Sequence, residues 1–596
     1  MLTLAEFKQK LAVQQIVNWS EKSELESLWV FDVKASRDEA WKYVSDTSRF
    51  NRELGLTPRQ QEEKDGKLHV TTTMLGFAQE WIEDPWTWLA GETIGCVRRY
   101  SRGMAKRSQT VFHIEDAGDF RRVYVYFGWQ PANAFWKLFL QMAMPQVKKK
   151  FAANFAKLNV HSSALSAENA FRQSPEPLSD DARQRLHDIQ LELNSRNLPP
   201  DLVRRLCEFV ATGDEMDLET IRILPLARQW KVDTRDLLVA SLHATRLGLL
   251  KISWEVICPH CRGSRFSAGT LGDIPEESEC GICEVDFTTD QAESVEVVFH
   301  VHPSIRKISQ ALYCAAEPAK KTHIKIQQRL QPGQTVALQA PLREGIYRAR
   351  ARGAEEFKIQ VKRDEPANIR YTNPLSTETL FVVEELWWES TALRPAQVFS
   401  LPDFRDLFSE EHLSSNVKLY VGEQAILFTD IVGSTKFYSQ VGDAKAFKEV
   451  RAHFQEVFGD VRAHHGVVVK TIGDAVMAAF SSPQEALAAA VEIQRRFHLL
   501  RADTSIRLRI SVHSGPVIAV QLNTGIDYFG NTVNFAAKIQ GVAGACEIAM
   551  SDMIYTRHLP ASGFTYPIDK RKSANESVGN ADVYVLKIES AAKAAS

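Results

Sequence analysis

The strongest constraint on how this chain can fold is a pair of strand-like stretches, each of which hands one aspartate to a turn. In AILFTDIVGSTKF, beginning at Ala425, a run of the kind found in buried strands ends in Asp430. Gly433-Ser434-Thr435 follows where a helix is expected to start, and a helix start aims free backbone amides at an anion such as a polyphosphate. In HHGVVVKTIGDAVMAAF, beginning at His464, two β-rich runs flank Ile472-Gly473-Asp474, which places Asp474 at a hairpin tip. Taken alone, an aspartate after an apolar strand is common, and Asp474 also reads as an ordinary turn residue after glycine.

Two more stretches follow, RLRISVHSGPV from Arg507 and GIDYFGNTVNFAAKIQ from Gly525. In this order and spacing the four resemble the catalytic domain of class III adenylyl and guanylyl cyclases, over residues 419–590. The resemblance implies a ferredoxin-like α/β domain that works as a dimer and converts ATP to 3′,5′-cyclic AMP and pyrophosphate. It also implies two Mg²⁺ or Mn²⁺ ions per site, one on the nucleophile and one on the phosphates. Asp430 and Asp474 match the metal carboxylates, joined by the backbone carbonyl of Ile431. Hard cations take such oxygen ligands and keep positions open for substrate.

Lys470 and Asp527 match the positions that read the base. Adenine offers an amino donor and a ring acceptor on its Watson–Crick edge, so a site for it wants one acceptor, Asp527, and one donor, Lys470. Guanine reverses that edge, and a buried mismatch costs about 1–3 kcal/mol, which favours ATP over GTP. The plain alternative for Lys470 is a solvated strand lysine. Asn534 matches the asparagine that orients the ribose. Lys538 occupies the place of the family's transition-state arginine, keeping the charge but losing the planar fork. The usual phosphate-binding lysine is also missing from the loop SANESVGNADVYVL, although Lys570 and Lys572 lie just upstream. These departures predict slow turnover. They leave open a weakened cyclase that serves as a nucleotide- or ligand-binding signalling scaffold, with guanylate cyclase as the lesser enzymatic alternative. One domain holds both halves of the residue set, so a head-to-tail homodimer is expected, the aspartates coming from one subunit and the remaining residues from the other.

A chain of 596 residues is too long for one core, and a multidomain α+β organisation is expected. Residues 27–35 alternate as a half-buried strand, and Ser36 with Glu39 forms a capping-box pattern opening a short helix. Strand-like runs follow, then a helical tail from about Pro131 to Leu158, interrupted at Pro145. With VKASRDEAWKYVSDTSRFNRELGL as its carrier, residues 1–162 resemble the START-like helix-grip fold, which implies a cup for an apolar ligand. Trp81, Trp86, Trp88, Trp129 and Trp136 suit such a cup and equally suit a packed core. Residues 163–181 read as a linker, 182–295 as a helical segment with a cysteine cluster, 296–385 as a small β-sandwich, and 386–418 as a junction.

Within the cluster, Cys258-Pro-His-Cys261 and Cys280-Gly-Ile-Cys283 are separated by eighteen residues. Two such knuckles complete a closed tetrahedral sulfur site, predicting one structural zinc. A redox pair and simple buried thiols are the rival readings. The net charge of −2 supplies no global field for nucleic acid, and no apolar run is long enough for a membrane span. Isolated cysteines and the lack of a signal-like start make the cytoplasm the expected location.

Overall fold

The computed structural model describes the chain except at residues 15, 65–66, 75, 162–172, 174, 261, 281–284, 290–293, 310, 315–317, 352–353, 364–365, 387–391, 409–418, 435–436, 438, 440–441, 501–505, 523–524, 565, 573–580 and 589–596. Residues 1–176, 280–285 and 309–390 make one compact unit, and 177–279, 286–308 and 391–596 make the other.

In the first unit, strand Leu25–Val33 leads into helices Arg37–Ser45 and Thr47–Glu53. The capping box forms: the Ser36 hydroxyl accepts from the Glu39 amide, and the Glu39 carboxylate accepts from the Ser36 amide at 2.9 Å. Antiparallel strands then run to Pro131, and helix Ala134–His161 packs Phe151 and Phe155 against Trp29, Tyr43 and Phe50. Pro145 lies inside this helix and does not interrupt it as expected. Its ring faces solvent, while buried Leu140 and Phe151 anchor the helix on either side.

The β-sandwich expected over 296–385 is not a separate pair of sheets: Thr335–Ala340 and Ala367–Thr372 pair as a two-stranded sheet whose Val336 and Ile369 pack with Tyr347 and Phe381, but the larger sheet is shared with the N-terminal region. Strands Ile324–Leu330, Thr379–Glu385, Gly345–Ala351 and Phe357–Val361 extend the N-terminal sheet through Thr87–Leu89, giving twelve strands among the described residues. Strand Val295–Val301, also assigned to the sandwich, pairs instead with Leu250–Ile257 in the second unit. Alternation identifies a strand but carries no record of its partner. Trp81 and Trp86 donate their ring N–H groups to Glu83 at 2.9 and 2.6 Å, and Trp88 donates to the Ile324 carbonyl at 3.0 Å. These rings are core. A cavity of about 530 Å³ in this unit is lined by apolar residues, Ile16, Val17 and Val97 among them, together with the charged Glu21, Arg99 and Arg107.

The second unit opens with helices Asp180–Asn194, Pro200–Thr212 and Thr234–Arg246, the first starting inside the expected linker. The junction contains two short helices, Pro395–Phe399 and Pro402–Leu407. Numbered from its own first strand, the C-terminal region runs β1 (Leu419–Ile431), α1 (Asp443–Ala463), β2 (Val467–Ile472), β3 (Ala475–Phe480), α2 (Pro483–Arg495), β4 (Leu508–Leu522), β5 (Gly525–Phe529), α3 (Asn531–Ile539), β6 (Glu547–Ser551), β7 (Ile568–Lys572) and β8 (Asp582–Lys587). The sheet order is β2-β3-β1-β4-β6-β8-β7, with β5 paired to β4. Its first half is the ferredoxin-like βαββαβ expected. The continuous apolar run of β1 is explained by position: it lies between β3 and β4, and Ala425, Ile426, Leu427 and Thr429 are fully buried. Helices α1 and α2 cover one face with Val457, Val461, Leu487 and Ile493.

Candidate functional site

Asp430 stands at the end of β1, where the strand leaves the core. β1 and β3 are antiparallel with Thr429 opposite Val476, so the next step in register sets Asp430 beside Ala475 and adjacent to Asp474. Asp474 reaches that place because Gly473 and Asp474 form a two-residue hairpin between β2 and β3. Gly473 has φ +63°, a left-handed conformation that suits the first turn position of such a hairpin. Both aspartates are therefore carried by neighbouring strands at one end of the sheet.

Their environments differ. On the other side of β1, Arg509 of β4 is the cross-strand partner of Asp430. Its Nε donates to Asp430 Oδ2 at 2.7 Å and its Nη2 to the same oxygen. Asp474 Oδ2 is buried and has no hydrogen-bond partner among the described residues. A desolvated carboxylate oxygen without a donor costs about 1–3 kcal/mol or more, a deficit that a cation would remove. The donor set fits a hard divalent ion on this ground. No group of three His, Cys, Asp or Glu side chains gathers among the described residues. Ile431 is buried at the end of β1, next to Asp430.

Lys470 and Asp527 meet: Lys470 Nζ donates to Asp527 Oδ2 at 2.5 Å. Asp527 is 7% exposed, and its Oδ1 accepts from the Tyr528 amide at 2.7 Å, which fixes the carboxylate plane. Asn534 and Lys538 sit four residues apart on α3, hence on one face of that helix. That helix rests on β4, where the Ser511 hydroxyl donates to the Ala536 carbonyl at 2.7 Å. Among the described residues, no hydrogen bond or ion pair within the chain joins the aspartates to Lys470, Asp527, Asn534 or Lys538. Ser434 is helical and Phe437 N donates to Gly433 O at 3.0 Å, so a helical turn starts at the glycine; Thr435 lies outside the described residues.

Sequence reasoning missed Arg509. It stands in plain view in RLRISVHSGPV, but only the sheet order shows that it faces Asp430. Lys570 and Lys572, considered as stand-ins for the missing phosphate lysine, are both paired to Asp582 at 2.6 Å. Cys258 and Cys280 are buried, while Cys261 and Cys283 lie outside the described residues.

Residues 419–587 match the family model of the adenylate and guanylate cyclase catalytic domain, and residues 186–336 match a family of unknown function, DUF5939. An adenylate cyclase of Lachancea kluyveri is 34% identical over 155 residues, covering 22% of this chain and 8% of that protein. Guanylate cyclase 2G of Rattus norvegicus is 29% identical over 192 residues, covering 27% of this chain and 17% of that protein. The alignments thus span a small part of these relatives' own length. A solved catalytic core of a rhodopsin–guanylyl cyclase with converted specificity, in complex with ATPαS, is 21% identical at a TM-score of 0.26, covering 29% of this chain and 100% of that one.

Proposed function

We propose that the adenylate and guanylate cyclase catalytic domain carried by residues 419–587 forms cyclic AMP from ATP, at sites shared between two copies of the chain. The ion pair between Lys470 and Asp527 carries the choice of base. It sets a cationic donor beside a carboxylate acceptor, the complement of adenine's ring acceptor and amino donor. Guanine would bring its donors to Lys470 and its carbonyl to Asp527, leaving both protein groups mispaired.

In the reaction the ribose O3′ bonds to the α-phosphorus, the bond from that phosphorus to the bridging oxygen breaks, pyrophosphate leaves with the electron pair, and the hydroxyl proton passes to water. Asp430, Asp474 and the Ile431 carbonyl would hold two divalent cations. When bound, these neutralise triphosphate charge and acidify the 3′-hydroxyl. Arg509 keeps Asp430 oriented, its Nε and Nη2 both donating to one oxygen of that carboxylate. Asn534 would orient the ribose, and Lys538 would place a single positive charge near the phosphates, a weaker grip than a guanidinium gives. The N-terminal START-like assignment and a structural zinc on Cys258, Cys261, Cys280 and Cys283 belong to the same proposal; element order supports the first, cysteine spacing the second.

The test is direct. Full-length chain with Mn²⁺ or Mg²⁺ is offered ATP and GTP separately, beside Asp474→Ala, and cyclic products are quantified. Cyclic AMP from the parent chain and a loss of about a thousandfold in the variant are expected, on the scale of an essential electrostatic group. Cyclic GTP product in excess, or equal rates in both chains, rejects the proposal.

A further inference from the structure

The strand that carries Asp527 is gripped from its other side by the junction. On helix Pro402–Leu407, Arg405 Nη1 donates to the Ile526 carbonyl at 2.9 Å, and its guanidinium lies 5.5 Å from the Tyr528 ring centroid. Arg405 Nε also donates to the Phe399 carbonyl at 3.3 Å, tying the fork to the preceding helix. Ile526 and Tyr528 flank Asp527 on β5. Alternation along a strand sends their side chains to the face opposite the carboxylate. Tyr528 is buried, so the cation acts on a ring that cannot move aside.

The same short helix is rooted upstream. Asp403 accepts from His243 Nε2 at 3.1 Å, and His243 Nδ1 is in turn 2.8 Å from Arg196 Nη1. Phe399 and Phe404 pack 5.7 and 6.0 Å from the ring of Trp254, which is fully buried. Two residues apart on a helix, Asp403 and Arg405 project about 200° from one another, so one side holds the helical segment while the other holds β5. Arg405 is thus the point at which upstream packing reaches the base-reading strand.

We infer that Arg405 is a positioning residue for base recognition, holding β5 so that the Asp527 carboxylate faces Lys470 and the nucleotide. The inference rests on the proposed cyclase function and adds a residue to its specificity. Removing the fork frees the Ile526 carbonyl and loosens β5, while the aspartates at 430 and 474 keep their places.

The experiment uses the full chain and Arg405→Ala, with Arg405→Lys as the conservative variant. Hydrogen exchange of residues 525–529 is measured alongside initial rates with ATP and GTP. In Arg405→Ala, exchange at 525–529 is expected to quicken while β1 and β3 stay protected. KM for ATP should rise about tenfold with kcat within about twofold, and the ATP-over-GTP preference should narrow. Lysine keeps the charge above Tyr528 but cannot serve both carbonyls, so it should recover part of each effect. Unchanged exchange at 525–529, or a fall in kcat with KM unaltered, overturns the inference. If the parent chain makes neither cyclic nucleotide, the proposed function fails while the exchange comparison still decides the role of Arg405.

Discussion

Asp474 and Asp430 differ in what satisfies them, and that difference gives a stability experiment independent of turnover. Asp430 has the Arg509 fork, whereas the Asp474 Oδ2 atom is buried without a donor among the described residues. Asp474→Asn removes the charge and keeps the shape. Without divalent ions its melting temperature should equal or exceed that of the parent chain, the gain being at most about 1–3 kcal/mol. Adding Mn²⁺ should raise the parent's melting temperature and do far less for the variant, by mass action on the folded state. An equal Mn²⁺ shift in both chains would remove Asp474 from the ion site. Asp430, Asp474, Lys470 and Asp527 could all be picked out beforehand because each sits inside a local pattern of apolar run, glycine turn or neighbouring motif. Arg509 and Arg405 could not, since each acts through a partner on another strand and no local spacing encodes that meeting.

Elements were legible where their signal is short-range. The Ser36–Glu39 cap, the apolar β1 and the Gly473-Asp474 hairpin are all written within a few residues. The destination of strand Ile324–Leu330 was not, because its partner Thr87–Leu89 lies more than two hundred residues earlier in the chain. Elements also bury groups that titrate. Burial pushes His453 on α1 down to about 4, and His513 on β4, whose Nδ1 lies 2.9 Å from the Ser551 hydroxyl, down to about 4 as well. The unfolded chain protonates histidine near pH 6.5, so between about 6.5 and 4 it binds more protons than the folded chain does. Stability contributed by these two positions is therefore complete above about pH 6.5 and drains away as pH falls toward 4. Thermal melts from pH 7.5 to 4.5 should show that decline, and His453→Leu should flatten it; a slope identical to the parent's would exclude His453 as a contributor.

At the scale of the whole molecule, one chain holds both the aspartates and the Lys470–Asp527 pair, yet within it no polar contact among the described residues joins the two sets. Under the proposed function, sites completed between copies would account for this. Asp430→Ala and Lys470→Ala chains, each expected to be inactive alone, should recover activity when mixed, to about a quarter of the parent rate if pairing is random and one site per mixed dimer is intact. Mixtures no more active than the separate variants would place the whole site within a single copy. The route of the chain between its two units has a consequence of its own. It leaves the first unit after residue 176, builds the helices and the Leu250–Ile257 strand group of the second, gives 280–285 to the first, and returns at 309 to finish the sheet begun by the N-terminus. The amino-terminal portion consequently cannot be pruned at residue 176 as though it were a detachable sensor. Such a cut would strip strand Ile324–Leu330 of its neighbour Thr87–Leu89 and leave a raw β edge exposed to self-association.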